Sequence, residues 1–204
     1  MKRIAVYCGS SAGPNEIYRK QAAQLGRFLA EQKIHVIFGG GKVGMMGVLA
    51  DAALKAGGEV TGVIPGFLHV KEVAHTQLTE LITVDTMHQR KALIEEMSDG
   101  AIALPGGFGT LDELFEMLTW GQLGLHDKPV GILNTQGFFD PILSAIDRMV
   151  EEGFLKDLNR DMVLVSQQIE KLIDAMRNYQ PPKIRKWIMD GDPNKDTPFK
   201  AAQH

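Results

Sequence analysis

One cysteine, Cys8, leaves no partner for an internal disulfide. Charge of a single sign is equally scarce. Lys and Arg number 22 against 25 Asp and Glu, a formal net charge of −3. Nothing in that balance favours binding long nucleic acid, which normally needs a basic face. An anionic ligand would have to be drawn by local groups, not by the field of the whole protein. No apolar run approaches the ~20 residues of a membrane-spanning helix. The opening MKRIAVYCGSS has too short an apolar run for a signal peptide and no cleavage pattern. The expectation is a cytoplasmic chain with no membrane partner. His69, His75, His88 and His126 are scattered without paired zinc spacing, so no metal centre is expected. Ser10 and Ser11 lie outside any G-x-S-x-G, which argues against a serine nucleophile.

What is present suits a single globular domain. The chain has 204 residues, 44% hydrophobic and 23% charged, enough to bury a sizeable core. Short β-type runs alternate with helical patterns. The runs are IAVY (4–7), HVIF (35–38), VTGVI (60–64), LITV (81–84), AIAL (101–104), VGIL (130–133) and VLV (163–165). Helices are expected over 15–31, 43–56, 88–98, from Leu111, over 141–151 and over 167–178. Runs with little polar alternation fit strands buried on both faces of a parallel sheet. Strand–helix alternation implies right-handed βαβ units. The predicted fold is α/β, a Rossmann-like open, mostly parallel sheet with helices on both faces. It fills residues 1–178 as one nucleotide-binding domain. A polar, proline-containing tail follows over 179–204, with Ile184, Trp187 and Ile188 as candidates for docking on the body or on a partner.

Ligands of such folds sit at the carboxyl ends of the strands, and three glycine-rich loops fall there. They are CGSSAGPN (8–15), GGGKVGMMG (39–47) and PGGFGT (105–110). Glycine lets backbone approach an anion, and a following helix N-terminus favours negative charge. Ser10, Ser11, Gly40 and Gly41 are the candidate phosphate-loop residues of the first two. Gly39–Gly44 also fits G-x-G-x-x-G, but after the second strand, not the first. The next strand ends in Pro65-Gly66, and Glu59 stands at its opposite end, so the acid that binds a ribose hydroxyl is missing. An NAD-linked oxidoreductase is disfavoured. A tight packed turn and a phosphate loop both remain open.

Two capping-box spacings occur, Thr86 with Gln89 and Thr110 with Glu113. In the second, Thr110 would be the N-cap and Glu113 would reach back to it. On the helix that follows, Leu111, Leu114, Phe115 and Leu118 form the expected core stripe. Glu113, Glu116 and Trp120 fall opposite, with Met117 nearby, as the wall of a site or a subunit contact. After Thr86, Arg90 and Lys91 stand in a first helical turn, where a cation opposes the helix dipole. They are either surface basics or neighbours of something anionic.

GGGKVGMMG, MHQRK (87–91) and PGGFGTLDE (105–113) together resemble the LOG (Lonely Guy) family of cytokinin riboside 5′-monophosphate phosphoribohydrolases, whose hallmark is P-G-G-x-G-T-x-x-E. TWGQLGLHDKPVGILN (119–134) resembles the family's continuation. The resemblance implies a homodimer with sites near the subunit contact and no cofactor. It implies hydrolysis of the N-glycosidic bond of an adenine-type nucleoside 5′-monophosphate. Arg90 and Glu113 match the family's catalytic positions. Glu72, Lys91, Gly107, Phe108, Gly109, Thr110, Leu111, Asp112 and Thr119 match its substrate-binding positions. The family is often labelled "lysine decarboxylase", yet nothing here marks a pyridoxal-phosphate lysine. The rival reading is a non-catalytic carrier or sensor of a nucleotide-like ligand. The joint presence of Arg90 and Glu113 favours the enzyme.

Overall fold

The computed structural model describes residues 1–69 and 74–182. In chain order the elements are β1 (Arg3–Tyr7), α1 (Glu16–Glu31), β2 (His35–Phe38), α2 (Gly44–Lys55), β3 (Val60–Pro65), α3 (Gly66–His69), β4 (Glu80–Val84) and α4 (Met87–Met97). Then come β5 (Ala101–Ala103), α5 (Phe108–Gln122), β6 (Val130–Leu133), α6 (Asp140–Glu151), α7 (Asp157–Arg160), β7 (Val163–Ser166) and α8 (Ile169–Arg177). The one-turn helices α3 and α7 are too short to leave a periodic signal in sequence. Of the tail expected over 179–204, residues 183–204 lie outside the described residues.

The strands form one sheet in the order β4-β3-β2-β1-β5-β6-β7, and every neighbouring pair is parallel. The chain winds outward from β1 to β4, then returns to place β5 on the free side of β1. Ligand crevices open where the winding reverses, here between β1 and β5.

Alternation along β1 divides the core. Ile4, Val6 and Cys8 face a cluster with Leu25, Leu29 and Leu49 of α1 and α2 and Leu172 of α8. Ala5 and Tyr7 face the other cluster, with Ile94 of α4 and Leu114 and Met117 of α5. Both faces of the inner strands are therefore dry, which is why their sequences show no polar period. Asn15 opens α1 by accepting the Ile17 N–H. Thr86 and Gln89 open α4 with a complete capping box. Gly26 lets α1 and α2 meet, since a Cβ there would lie 2.3 Å from the Leu49 carbonyl oxygen. Among the described residues, no helix is long and apolar enough to cross a membrane.

Candidate active site

The three glycine loops interlock above β1. Gly9 N–H donates to the Pro105 carbonyl at 3.1 Å, and Met45 N–H donates to the Gly9 carbonyl at 3.1 Å. Gly44 has φ +68°, and a Cβ there would sit 2.2 Å from the Ser10 carbonyl oxygen. A Cβ on Gly106 would meet Thr110 Oγ1 at 2.1 Å and Gly9 N at 2.8 Å. Glycine at 44 and 106 is thus set by loop-to-loop distance.

α5 begins at Phe108 with Gly107 as its N-cap, and no side chain caps it. This corrects the capping-box expectation: Thr110 is a buried residue of the first turn, not the cap. Leu111 N–H closes the first helical bond, to the Gly107 carbonyl. The N–H groups of Phe108, Gly109 and Thr110 therefore have no intrahelical acceptor. Gly107, Phe108 and Gly109 are exposed. An uncapped helix end of this kind holds an anion with backbone N–H groups and the helix dipole.

Beside this helix end lies a polar cavity of about 190 Å³, whose wall includes Ser10, Gly39, Arg90, Phe108, Thr110 and Glu113. Arg90 is 7% exposed. Its Nε donates to the Val63 carbonyl at 3.2 Å and its Nη2 to the Gly39 carbonyl at 3.0 Å. A Cβ at residue 39 would lie 1.8 Å from Nη2, so Gly39 makes the space that the guanidinium occupies. Those bonds fix a permanent cation at the carboxyl ends of β2 and β3.

Glu113 faces that cation across the cavity. Burial pushes its carboxyl up to about 7, helped by Asp112 and Glu116 and opposed by Arg90 and Lys91. A carboxyl balanced near neutrality can exchange a proton with water or substrate at the working pH. Burial likewise pushes the Cys8 thiol far up, so it stays protonated and is no nucleophile. Burial, with Glu113 and other acids nearby, raises the Tyr7 phenol. Lys91 Nζ lies 3.1 Å from Asp112 Oδ2 and 3.0 Å from Glu116 Oε1. Burial works against its charge, but these two bonds outweigh it and hold the ammonium above its ordinary range.

Of the residues singled out in sequence, Arg90, Glu113, Ser10 and Gly107–Thr110 meet on the cavity wall. Ser11 lines a neighbouring apolar cleft with Tyr18 and Phe138. Gly40 and Gly41 do not reach the cavity. Gly40 accepts the His75 N–H and Gly41 bridges Ala74, so both hold the start of the segment that leads into β4. Leu111 packs on the core, and Asp112 is turned to Lys91. Thr119 is exposed, with its hydroxyl donating to the Phe115 carbonyl. Glu72 lies outside the described residues. Met117, expected on the outer side of α5, is 2% exposed and part of the core. Sequence reading missed Val6 and Tyr7 on the cavity wall, and it placed Cys8, Gly9, Gly39 and Met46 in the first two glycine loops without singling them out. Their signal was position alone, at or just after the ends of β1 and β2 or inside the second glycine loop.

The model of a family described as "Possible lysine decarboxylase" matches residues 46–176. A cytokinin riboside 5′-monophosphate phosphoribohydrolase of Rhodococcoides fascians is 47% identical over 178 residues, covering 87% of this chain and 90% of that protein. One of Arabidopsis thaliana is 44% identical over 180 residues, covering 88% and 84%. The chain belongs to the LOG family. The probable LOG-family enzyme of rice, Oryza sativa subsp. japonica, is 43% identical over 194 residues, covering 93% and 80%. The LOG fold extends further than this. The molybdenum cofactor carrier protein of Chlamydomonas reinhardtii superposes with a TM-score of 0.65 over 86% of this chain and 95% of its own. At 23% identity that likeness concerns the fold alone.

Proposed function

We propose that this LOG-family protein hydrolyses the N-glycosidic bond of adenine-type, cytokinin nucleoside 5′-monophosphates, giving free base and ribose 5-phosphate. The observation that carries the reading is the meeting of Arg90 and Glu113 in a cavity beside the open N-terminus of α5. The 5′-phosphate binds the free N–H groups of Phe108–Thr110. The ribose then lies over Glu113. As the C1′–N bond breaks, positive charge builds on the sugar. The ionised Glu113 stabilises that charge and accepts a proton from the attacking water, whose oxygen bonds to C1′. The bond electrons leave with the base, and the proton that Glu113 took from water passes to it, which neutralises the base and restores the carboxylate. Arg90 stays charged throughout, so it positions substrate and balances Glu113 instead of trading protons. Phosphate binding at a distance holds the reacting carbon in place.

Among the described residues no lysine lines the cavity, so a decarboxylase that links its cofactor through a lysine has nothing here to build on. The protein acts as a homodimer in this proposal. Thr119 and Trp120 at the end of α5, with Leu123 and Leu125 just beyond it, lie away from the chain's own cavity. Leu125 is 56% exposed, which suits burial by a second copy.

The test is an end-point assay with AMP and with isopentenyladenosine 5′-monophosphate, resolving nucleotide, nucleoside and base by chromatography. Free base from the wild type and none from Glu113→Gln, which still binds AMP, is the expected result. Saturable nucleotide binding without any base would instead make the protein a carrier. Near-normal turnover by Glu113→Gln would sink the catalytic assignment.

A further inference from the structure

Asp112, Glu113 and Glu116 stand on adjacent turns at the start of α5, and only Glu113 lines the cavity. The other two share one cation, Lys91 of α4. The placement is regular in sequence. Lys91 follows Arg90 directly, while Asp112 and Glu116 flank Glu113 by one residue and by one turn. α4 packs on β1 to β4 and α5 on β1, β5 and β6. The two helices therefore straddle β1, and the Lys91 bridge crosses between them at the level of Arg90 and Glu113. Lys91 and Glu116 are 15% and 23% exposed, so water and salt screen the pair less than an open surface pair. Arg90 is fixed from its own side by two backbone carbonyls. Glu113 feels burial and neighbouring charges but no hydrogen bond. Its place is set by where α5 lies.

We propose that Glu116, acting through Lys91, is a positioning residue that sets the distance between Arg90 and Glu113. The kinetic half of the proposal rests on the phosphoribohydrolase reading. The structural half does not. The charged groups facing Glu113 are Arg90 and Lys91 from α4 and Asp112 and Glu116 from its own helix, with the Tyr7 phenol below them from β1.

A double-mutant cycle on Lys91→Met and Glu116→Gln tests it. Each single variant should lose about 10- to 100-fold in kcat, and Glu116→Gln, which removes no ligand contact, should leave the AMP Kd within about threefold. The double variant should be no worse than the poorer single, since the two residues act as one unit. Lys91→Arg, which keeps a bridging cation, should recover most of kcat. A near-normal kcat for Glu116→Gln, or a large rise in its AMP Kd, would overturn the proposal, as would effects that multiply. A second readout needs no turnover: the titration of Glu113 followed by ¹³C NMR in glutamate-labelled protein, its signal assigned by loss in Glu113→Gln. The midpoint should rise in Lys91→Met and the two substitutions should be non-additive. Should the wild type release no base, the activity reading falls while this cycle still decides the bridge, and strictly additive shifts reject it.

Discussion

Glu113 is under two opposed demands. Its ionised form does the chemistry, so kcat/KM should fall with unit slope as pH drops below about 7, the midpoint that burial gives it. A profile flat from pH 5 to 8 would remove Glu113 from the proton-transfer step. The same shift weakens the fold. Between the ordinary value of 4.5 and about 7 the folded state holds a proton that the unfolded chain has lost. Stability therefore declines as pH rises through that window, and the deficit persists above it. Glu113→Gln should gain about 1–3 kcal/mol at pH 8 in urea unfolding and nothing at pH 4. Little of this was legible in sequence. The T-x-x-E spacing of Thr110 and Glu113 is what a capping box also requires, and only the true start of the helix at Phe108 separates the two. Met117 was misplaced for a related reason. The residues that face the sheet are Thr110, Leu114, Met117 and Gly121, two of them small, whereas a helical wheel follows the large apolar side chains. Gly121 is small because Met162 Cε would lie 2.7 Å from a Cβ there.

Elements whose ends are defined by local chemistry were read well. The capping box of α4 needs only Thr86 and Gln89, four residues apart inclusive, and both bonds form. Thr86→Ala should cost about 0.5–2 kcal/mol in thermal or urea unfolding. The glycine loops were read less well, because their logic is long-range. Gly39 is required by Arg90, 51 positions later, and nothing near Gly39 in sequence says so. Gly44 carries a double demand, positive φ and contact with Ser10. Gly44→Ala should therefore destabilise the protein by more than the roughly 1 kcal/mol of a plain left-handed alanine. A variant that unfolds at the wild-type urea midpoint would show that the loop can open at that point without loss.

For the whole molecule, the alternation of runs gave the parallel sheet and its two helical layers, since dry strands on both faces leave that architecture as the simplest outcome. The assembly is a separate matter. With the end of α5 and the turn after it as the contact, Leu125→Glu should shift a dimer to monomer in light scattering at unchanged circular dichroism. A wild-type monomer would move Thr119 out of any shared site. The central position of β1 has a consequence for synthesis. β1 and β2 can pair once residue 38 has left the ribosome, but the other edge of β1 pairs with β5, whose last residue is 103. At about 5–20 residues per second, that edge waits roughly 3–13 s with its backbone groups unpaired. During those seconds the nascent chain exposes an aggregation-prone strand at what becomes the middle of the fold, and a chaperone that shields extended apolar segments would bind it there.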